Sequence, residues 1–182
     1  VCAQSSRLFV KEFAGSKTDD LCVFYDYEQG LQYAKAINKP FMAFFTGHSA
    51  ASTHKMENEI FQDAKVAEAM RKDYVIASLY ADDITKLDPP RYTKDGKKVT
   101  KLGQWITKLE SEKFNVIAQP YFAVLDHDGS KLVEPVGYTP DAEKFHNFLS
   151  GGVTAFNSAH GIANGNSQTS SSDTVDGLGT SH

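Results

Sequence analysis

Cysteine is almost missing from this sequence. Cys2 and Cys22 are the two it has among 182 residues, too few for a disulfide scaffold and at a spacing that fits no metal motif. They could pair with each other in an oxidising compartment, or stand as unrelated thiols. Positive charge is also in short supply. The formal charge is −4, and no arginine-rich helix or basic patch stands out, which argues against nucleic acid as a partner. No apolar run approaches the ~18 residues needed to span a membrane. What remains is an ordinary globular composition, with 41% hydrophobic residues. The length suits one domain with a core large enough to stand alone.

The chain divides into three stretches. Residues 1–21 are a mostly polar lead-in. Its first residues, Val1-Cys2-Ala3-Gln4, have the form of the end of a secretory signal, with small residues before a cleavage point at Gln4; a lipidated Cys2 would be the alternative. Residues 22–152 carry the periodic patterns of a folded domain. Residues 153–182 become rich in Gly, Ser and Asn, a composition expected to be disordered.

Within the domain, Asp26-Tyr27-Glu28-Gln29 has the form of a capping box, and Tyr27, Leu31, Ala34 and Ile37 follow at helical spacing. Asn38-Lys39-Pro40 stops that helix. Phe41-Met42-Ala43-Phe44-Phe45 is apolar on both faces and predicts a buried central strand. A turn at Thr46-Gly47-His48-Ser49 leads into a long helical stretch over 50–72, broken near Gln62-Asp63. A second buried strand spans 74–80. Residues 82–102 read as a polar hairpin excursion around Asp95-Gly96, its Lys94, Lys97, Lys98 and Lys101 serving as solubilising edge charges. Trp105, Ile106 and Leu109 mark a helix, and Trp105, like Tyr33, is expected in the core. Tyr121–Leu125 is a strand, turned by Asp126-His127-Asp128-Gly129 into a hairpin partner at Lys131-Leu132-Val133. Thr139-Pro140 starts the last helix and Gly151-Gly152 ends it. Alternating strands and helices with a closing hairpin define an α/β layered sheet with an antiparallel edge.

Several ungapped blocks carry a resemblance. Asp26-Tyr27-Glu28-Gln29-Gly30-Leu31, Asn38-Lys39-Pro40, Phe45-Thr46-Gly47, Lys55-Met56-Glu57, Tyr80-Ala81-Asp82-Asp83 and Ala118-Gln119-Pro120 resemble the C-terminal thioredoxin-like domain of DsbD-type thiol:disulfide interchange proteins, most of all the forms found in the Bacteroidetes. The match covers roughly residues 22–150. It implies a thioredoxin-like α/β fold, a mixed central sheet flanked by helices, with the hairpin inserted before the third helix.

The resemblance fails where the family does its chemistry. Its Phe-Thr-Gly leads into a C-x-x-C pair, and counting without gaps puts those cysteines at Ala50 and Thr53, with His54 in place of an arginine. A thioredoxin-type site needs a thiolate of lowered pKa and a second thiol to resolve the mixed disulfide. Alanine has no nucleophile, and a threonine hydroxyl is far too weak an acid. The family's buried proton-shuttling acid, six residues before the first cysteine, falls on Phe44. Loss of both thiols and the acid together points to a domain freed from redox chemistry by natural loss; an engineered knock-out would change the cysteines alone. Gln119-Pro120 falls where the family has its cis-proline facing the active-site turn. That loop implies recognition of an extended substrate segment by strand addition, unless Pro120 persists only because the fold was built around it.

Two rival readings use the same residues. Gly47-His48-Ser49-Ala50-Ala51 is similar to a serine hydrolase elbow with Ser49 as nucleophile, needing His127 or His146 beside it; the plainer reading has Ser49 capping the helix. His48, His54 and Glu57 suggest a metal, but two ligands sharing a helix face are not a site, so no metal and no other cofactor is expected. The reading that follows is an exported thioredoxin-like domain that has lost its redox pair and binds a protein or peptide through His48, Ser49, Gln119 and Pro120. The alternative is a thiol:disulfide oxidoreductase working through Cys2 and Cys22 or within a longer assembly.

Overall fold

The computed structural model describes residues 23–164. Four strands form one mixed sheet, in the order β1 (Val23–Phe24), β3 (Val75–Tyr80), β2 (Phe41–Thr46) and β6 (Tyr121–Leu125). The first three run parallel, and β6 lies antiparallel to β2. Every residue of β2 and β3 is buried, as the unbroken apolar runs require of strands covered on both faces. The period of two splits β2 between two cores. Met42 and Phe44 join Met56, Phe61, Met70, Phe122, Phe145 and Leu149 on one face. Phe41, Ala43 and Phe45 join Tyr27, Leu79, Ile106 and Leu109 on the other.

The helices follow from that division. On one face lie α1 (Tyr27–Ile37) and α4 (Leu102–Phe114), and on the other α3 (Ala64–Asp73) and α5 (Ala142–Ala159). Asp26 caps α1 through Gln29 N at 3.1 Å, and Asn38 ends it in the left-handed conformation (φ 55°). Ile37 is 40% exposed, so the apolar stripe stops short of the last turn. In its place Gly30 turns inward, and a Cβ there would lie 2.7 Å from the Phe41 ring.

The helical stretch after β2 is interrupted as its Gln62-Asp63 foretells, because Asp63 starts α3 by accepting from Lys65 N and Val66 N. The first half contains a feature the spacing hides. After α2 (Ala51–Lys55) the chain widens into a π turn, Met56–Ile60, that directs both Met56 and Ile60 into the core.

The excursion is a two-stranded sheet, β4 (Lys86–Tyr92) and β5 (Lys98–Lys101), paired antiparallel, with Gly96 at φ 79° in its turn. It is fastened by Arg91, whose guanidinium reaches Asp26 at 2.7 Å and lies 5.3 Å over the Trp105 ring. Trp105 is therefore half-buried under the hairpin, not a core residue, and Tyr33 is likewise half-buried beside Phe24.

Two boundaries differ from expectation. The hairpin partner of β6 is reduced to isolated bridges, Phe122 with Val136 and Leu125 with Lys131. Pro135 lacks an N–H, and the segment bulges between those contacts. The last helix starts at Asp141, whose side chain accepts from Lys144 N at 3.0 Å, and it runs through Gly151-Gly152 to Ala159. Gly152 is a packing position, because a Cβ there would meet Tyr74 Oη at 2.4 Å and Val124 Cγ1 at 2.8 Å. The domain boundary expected at 152 thus falls inside a helix. Cys2, Cys22 and the end of the tail lie outside the described residues, as does the question of their pairing.

Candidate functional site

The topology brings the candidate segments to one end of the sheet. Because β2 and β3 are parallel, the turn after Thr46 and the loop after Tyr80 leave from the same end, and Ala81 N donates to Thr46 O across them. Antiparallel β6 enters at that end: its register pairs Phe45 with Tyr121, leaving Pro120 one residue beyond. This is the crevice at the strand ends where open α/β sheets accept ligands.

The turn itself is tied down by Asp82, which sequence reasoning placed only in a family block. Its carboxylate accepts from His48 N at 3.0 Å, Ser49 N at 3.2 Å and Ser49 Oγ at 3.3 Å. Partial desolvation works to raise the Asp82 pKa, but the two backbone N–H donors and His48 outweigh it and hold the carboxyl below its ordinary value. The loop carrying Asp82 is pressed against the start of α4. Gly103 N donates to Asp83 O at 2.9 Å, and a Cβ on Gly103 would lie 2.5 Å from Ala81 O.

His48 stacks on Tyr80, with ring centroids 4.1 Å apart. Burial, with Glu57 and Asp82 nearby, pushes the Tyr80 hydroxyl up to about 12. His54 braces the turn, its Nε2 at 2.8 Å from His48 O and its Nδ1 at 3.2 Å from Glu57 Oε2. These contacts give the His48, His54 and Glu57 group a structural explanation.

Ser49 does not cap the helix. Ala50 occupies the N-cap with no side-chain bond, and the Ser49 hydroxyl is turned to Asp82 instead. The hydrolase reading also loses His127 on topology. His127 follows the C-terminal end of β6, at the opposite end of the sheet from Ser49, and its Nε2 bonds Lys39 O at 3.0 Å.

Ala50 is half-exposed and Thr53 is 1% exposed. Thr53 Oγ1 has no hydrogen-bond partner among the described residues. Phe44 is buried in hydrocarbon, stacked on Phe122 at 4.6 Å and edge-on to Phe61 at 5.7 Å.

The other wall is the loop before β6. The Gln119–Pro120 peptide bond is cis, as is Asp88–Pro89. Beneath the loop lies Glu110, a residue the sequence reading passed over. It is fully buried, accepts from Ala118 N at 3.0 Å and from Gln119 Nε2 at 3.3 Å, and has its pKa raised by burial to about 7 despite those two donors. Nothing in a helical Glu-Ser-Glu run distinguishes it until the loop is seen to fold over it. Beside the loop, under the hairpin, opens a cleft of about 670 Å³ that includes Ile117, Gln104 and Lys108 in its lining.

This arrangement defines a thioredoxin-like α/β domain, and residues 27–151 match the family model described as thioredoxin-like domain. The chain belongs to that family. Among solved structures it is similar to one titled DsbH oxidoreductase, at 15% identity and a TM-score of 0.55, covering 84% of this chain and 95% of that one. It is also similar to the oxidised C-terminal domain of DsbD from Neisseria meningitidis, at 18% identity and a TM-score of 0.51, covering 71% and 97%. At these identities the likeness shows the shared fold. No curated protein matches the sequence. No helix among the described residues is long and apolar enough to cross a membrane.

Proposed function

We propose that this chain is an exported thioredoxin-like domain without the DsbD-type redox pair, and that it binds an extended protein or peptide segment between the His48–Thr53 turn and the Gln119-Pro120 loop. The observation that carries the reading is the state of Gln119. Its side chain is engaged by Glu110, while its main-chain N–H and C=O make no hydrogen bond among the described residues. An unpaired main-chain unit on a half-exposed residue at the entrance of a strand is what strand addition uses. The rim supplies apolar contact: Ile117 is 62% and Tyr138 42% exposed, and Tyr138 follows Gly137, which packs beside Pro120 O. The absence of chemistry rests on Ala50 and Thr53, which offer no thiol where the fold would use one.

The competing reading is disulfide exchange through Cys2 and Cys22 or within a longer assembly, in line with the fold shared with a DsbH oxidoreductase. Insulin reduction with dithiothreitol, run beside a Cys2→Ser/Cys22→Ser variant, separates the two. The binding reading expects no rate above the reductant background. It also expects saturable binding of S-carboxymethylated insulin B chain, independent of reductant and weakened by Gln119→Pro, which removes the main-chain donor. A rate that disappears in the cysteine variant would establish the enzyme instead.

A further inference from the structure

At the opposite end of the sheet a second group of side chains converges. Asp126 and His127 begin the turn after β6, and His160 is the residue on which α5 ends. His160 stands 34 and 33 positions from Asp126 and His127 in sequence, yet one ligand atom from each of the three lies within 4.8 Å of the other two. We propose that Asp126, His127 and His160 form a binding site for a divalent transition metal of the zinc class.

The ligand chemistry fits. Two imidazole nitrogens and one carboxylate oxygen are a borderline set that suits Zn²⁺ better than the all-oxygen preference of Mg²⁺ or Ca²⁺. The orientation of His127 is fixed from behind. Its Nε2 lies 3.0 Å from Lys39 O, and a carbonyl only accepts, so Nε2 carries the hydrogen and Nδ1 presents its lone pair. A backbone carbonyl holding the far nitrogen is the usual outer support of a metal-binding histidine. Asp126 is held too, accepting from His127 N at 2.7 Å.

His160 is the adjustable member. Its Nε2 lies 2.7 Å from Asp126 Oδ1, a direct hydrogen bond that bound metal would replace. Ligands about 2.0–2.1 Å from zinc stand about 3.3 Å apart in a tetrahedron, so the Asp126–His160 pair must open by about 0.6 Å while the widest separation closes by about 1.5 Å at most. Rotation of the His160 side chain, 28% exposed at a helix end, provides that movement. Phe156 walls one side, its ring centroid 4.2 Å from His160 and 5.2 Å from His127, which limits water there and strengthens the charge interaction. Three protein ligands leave a fourth position for water. Bound metal would join the turn after β6 to the end of α5, closing the C-terminal helix onto the sheet.

The test is Zn²⁺ titration of the full chain by calorimetry, with Co²⁺ as an optical probe. The expected result is 1:1 binding at micromolar metal and four-coordinate Co²⁺ d–d bands without thiolate charge transfer. Affinity should fall at least about tenfold in His160→Gln and in Asp126→Asn and be retained in Cys2→Ser/Cys22→Ser. Absence of binding by the folded wild type, unchanged affinity in His160→Gln, or a thiolate charge-transfer band would each overturn the assignment. Because the Co²⁺ spectrum is read on the wild-type chain, the test stands even if a variant fails to fold.

Discussion

Replacing Glu110 by glutamine should remove most of a pH-dependent loss of stability near neutrality. Glu110 is fully buried and its pKa is raised from 4.5 to about 7, first by burial and in opposition to the donors Ala118 N and Gln119 Nε2. A raised folded-state pKa means that the protonated acid favours the folded state. The contribution is therefore intact below about pH 4.5 and is lost as pH rises through 7. Linkage between those two values gives a loss of about 2.5 kcal/mol from pH 5 to pH 8. In Glu110→Gln the amide oxygen can still accept from Ala118 N, and Gln119 can turn its own amide to present oxygen to the new NH₂. The assay is urea denaturation of both proteins at pH 5, 6, 7 and 8. Taking the difference between them at each pH cancels groups common to both, the histidines included. The variant should gain on the wild type by about 2.5 kcal/mol across that range. Parallel stability curves would refute the assignment and mean that Glu110 ionises without penalty.

Three other outcomes follow from particular contacts. Ala50→Cys/Thr53→Cys should give dithiothreitol-dependent insulin reduction that the wild type lacks, because the half-exposed and buried positions suit an attacking and a resolving thiol; a folded, inactive double variant would show that the turn has lost more than its sulfurs. Gly103→Ala should cost about 1–3 kcal/mol in urea denaturation, because its Cβ would meet backbone atoms of Ala81 and Asp83 at 2.5–2.7 Å. Gly152→Ala should cost a similar 1–3 kcal/mol by displacing Tyr74, whose hydroxyl donates to Leu149 O; no loss would mean that the ring and α5 separate freely.

The frame of the domain was legible because its signals are local and strong. Asp26 and Asp63 cap the helices they precede, and the apolar runs at 41–45 and 75–80 are buried on both faces. What escaped reading depends on partners far away in sequence. Gly151-Gly152 has the composition of a helix stop, but Tyr74 and Val124 require a glycine inside the helix. Lys131-Leu132-Val133 looks like a strand, but Pro135 bulges it away from β6. Trp105 reads as core until Arg91 arrives from the hairpin to cover it. The site was legible in the residue types of the turn and strand, at Phe44, Ala50 and Thr53. It was hidden where distant contacts hold it, at Asp82 and Glu110.

The two walls of the candidate groove differ in what lies behind them, and this bears on how binding would respond to pH. Behind the turn, on the Phe44 face, Met56, Phe61, Phe122 and Phe145 pack as hydrocarbon. Phe44 carries no titratable group, and the imidazoles of that wall, His48 and His54, belong to the turn in front of it. Behind the Gln119 loop, on the α4 face, an acid remains: Glu110 accepts from Ala118 N and holds the Gln119 side chain. Ionisation of Glu110 strengthens its acceptance of both donors while raising the cost of its burial. The loop is therefore gripped harder at pH 8 in a less stable domain. If Gln119 presents its main chain to a peptide, a pH-dependent change in affinity near 7 should be removed by Glu110→Gln and retained in Phe44→Leu. An affinity that changes equally in all three proteins would place the titrating group on the peptide or on the turn's own histidines, His48 and His54.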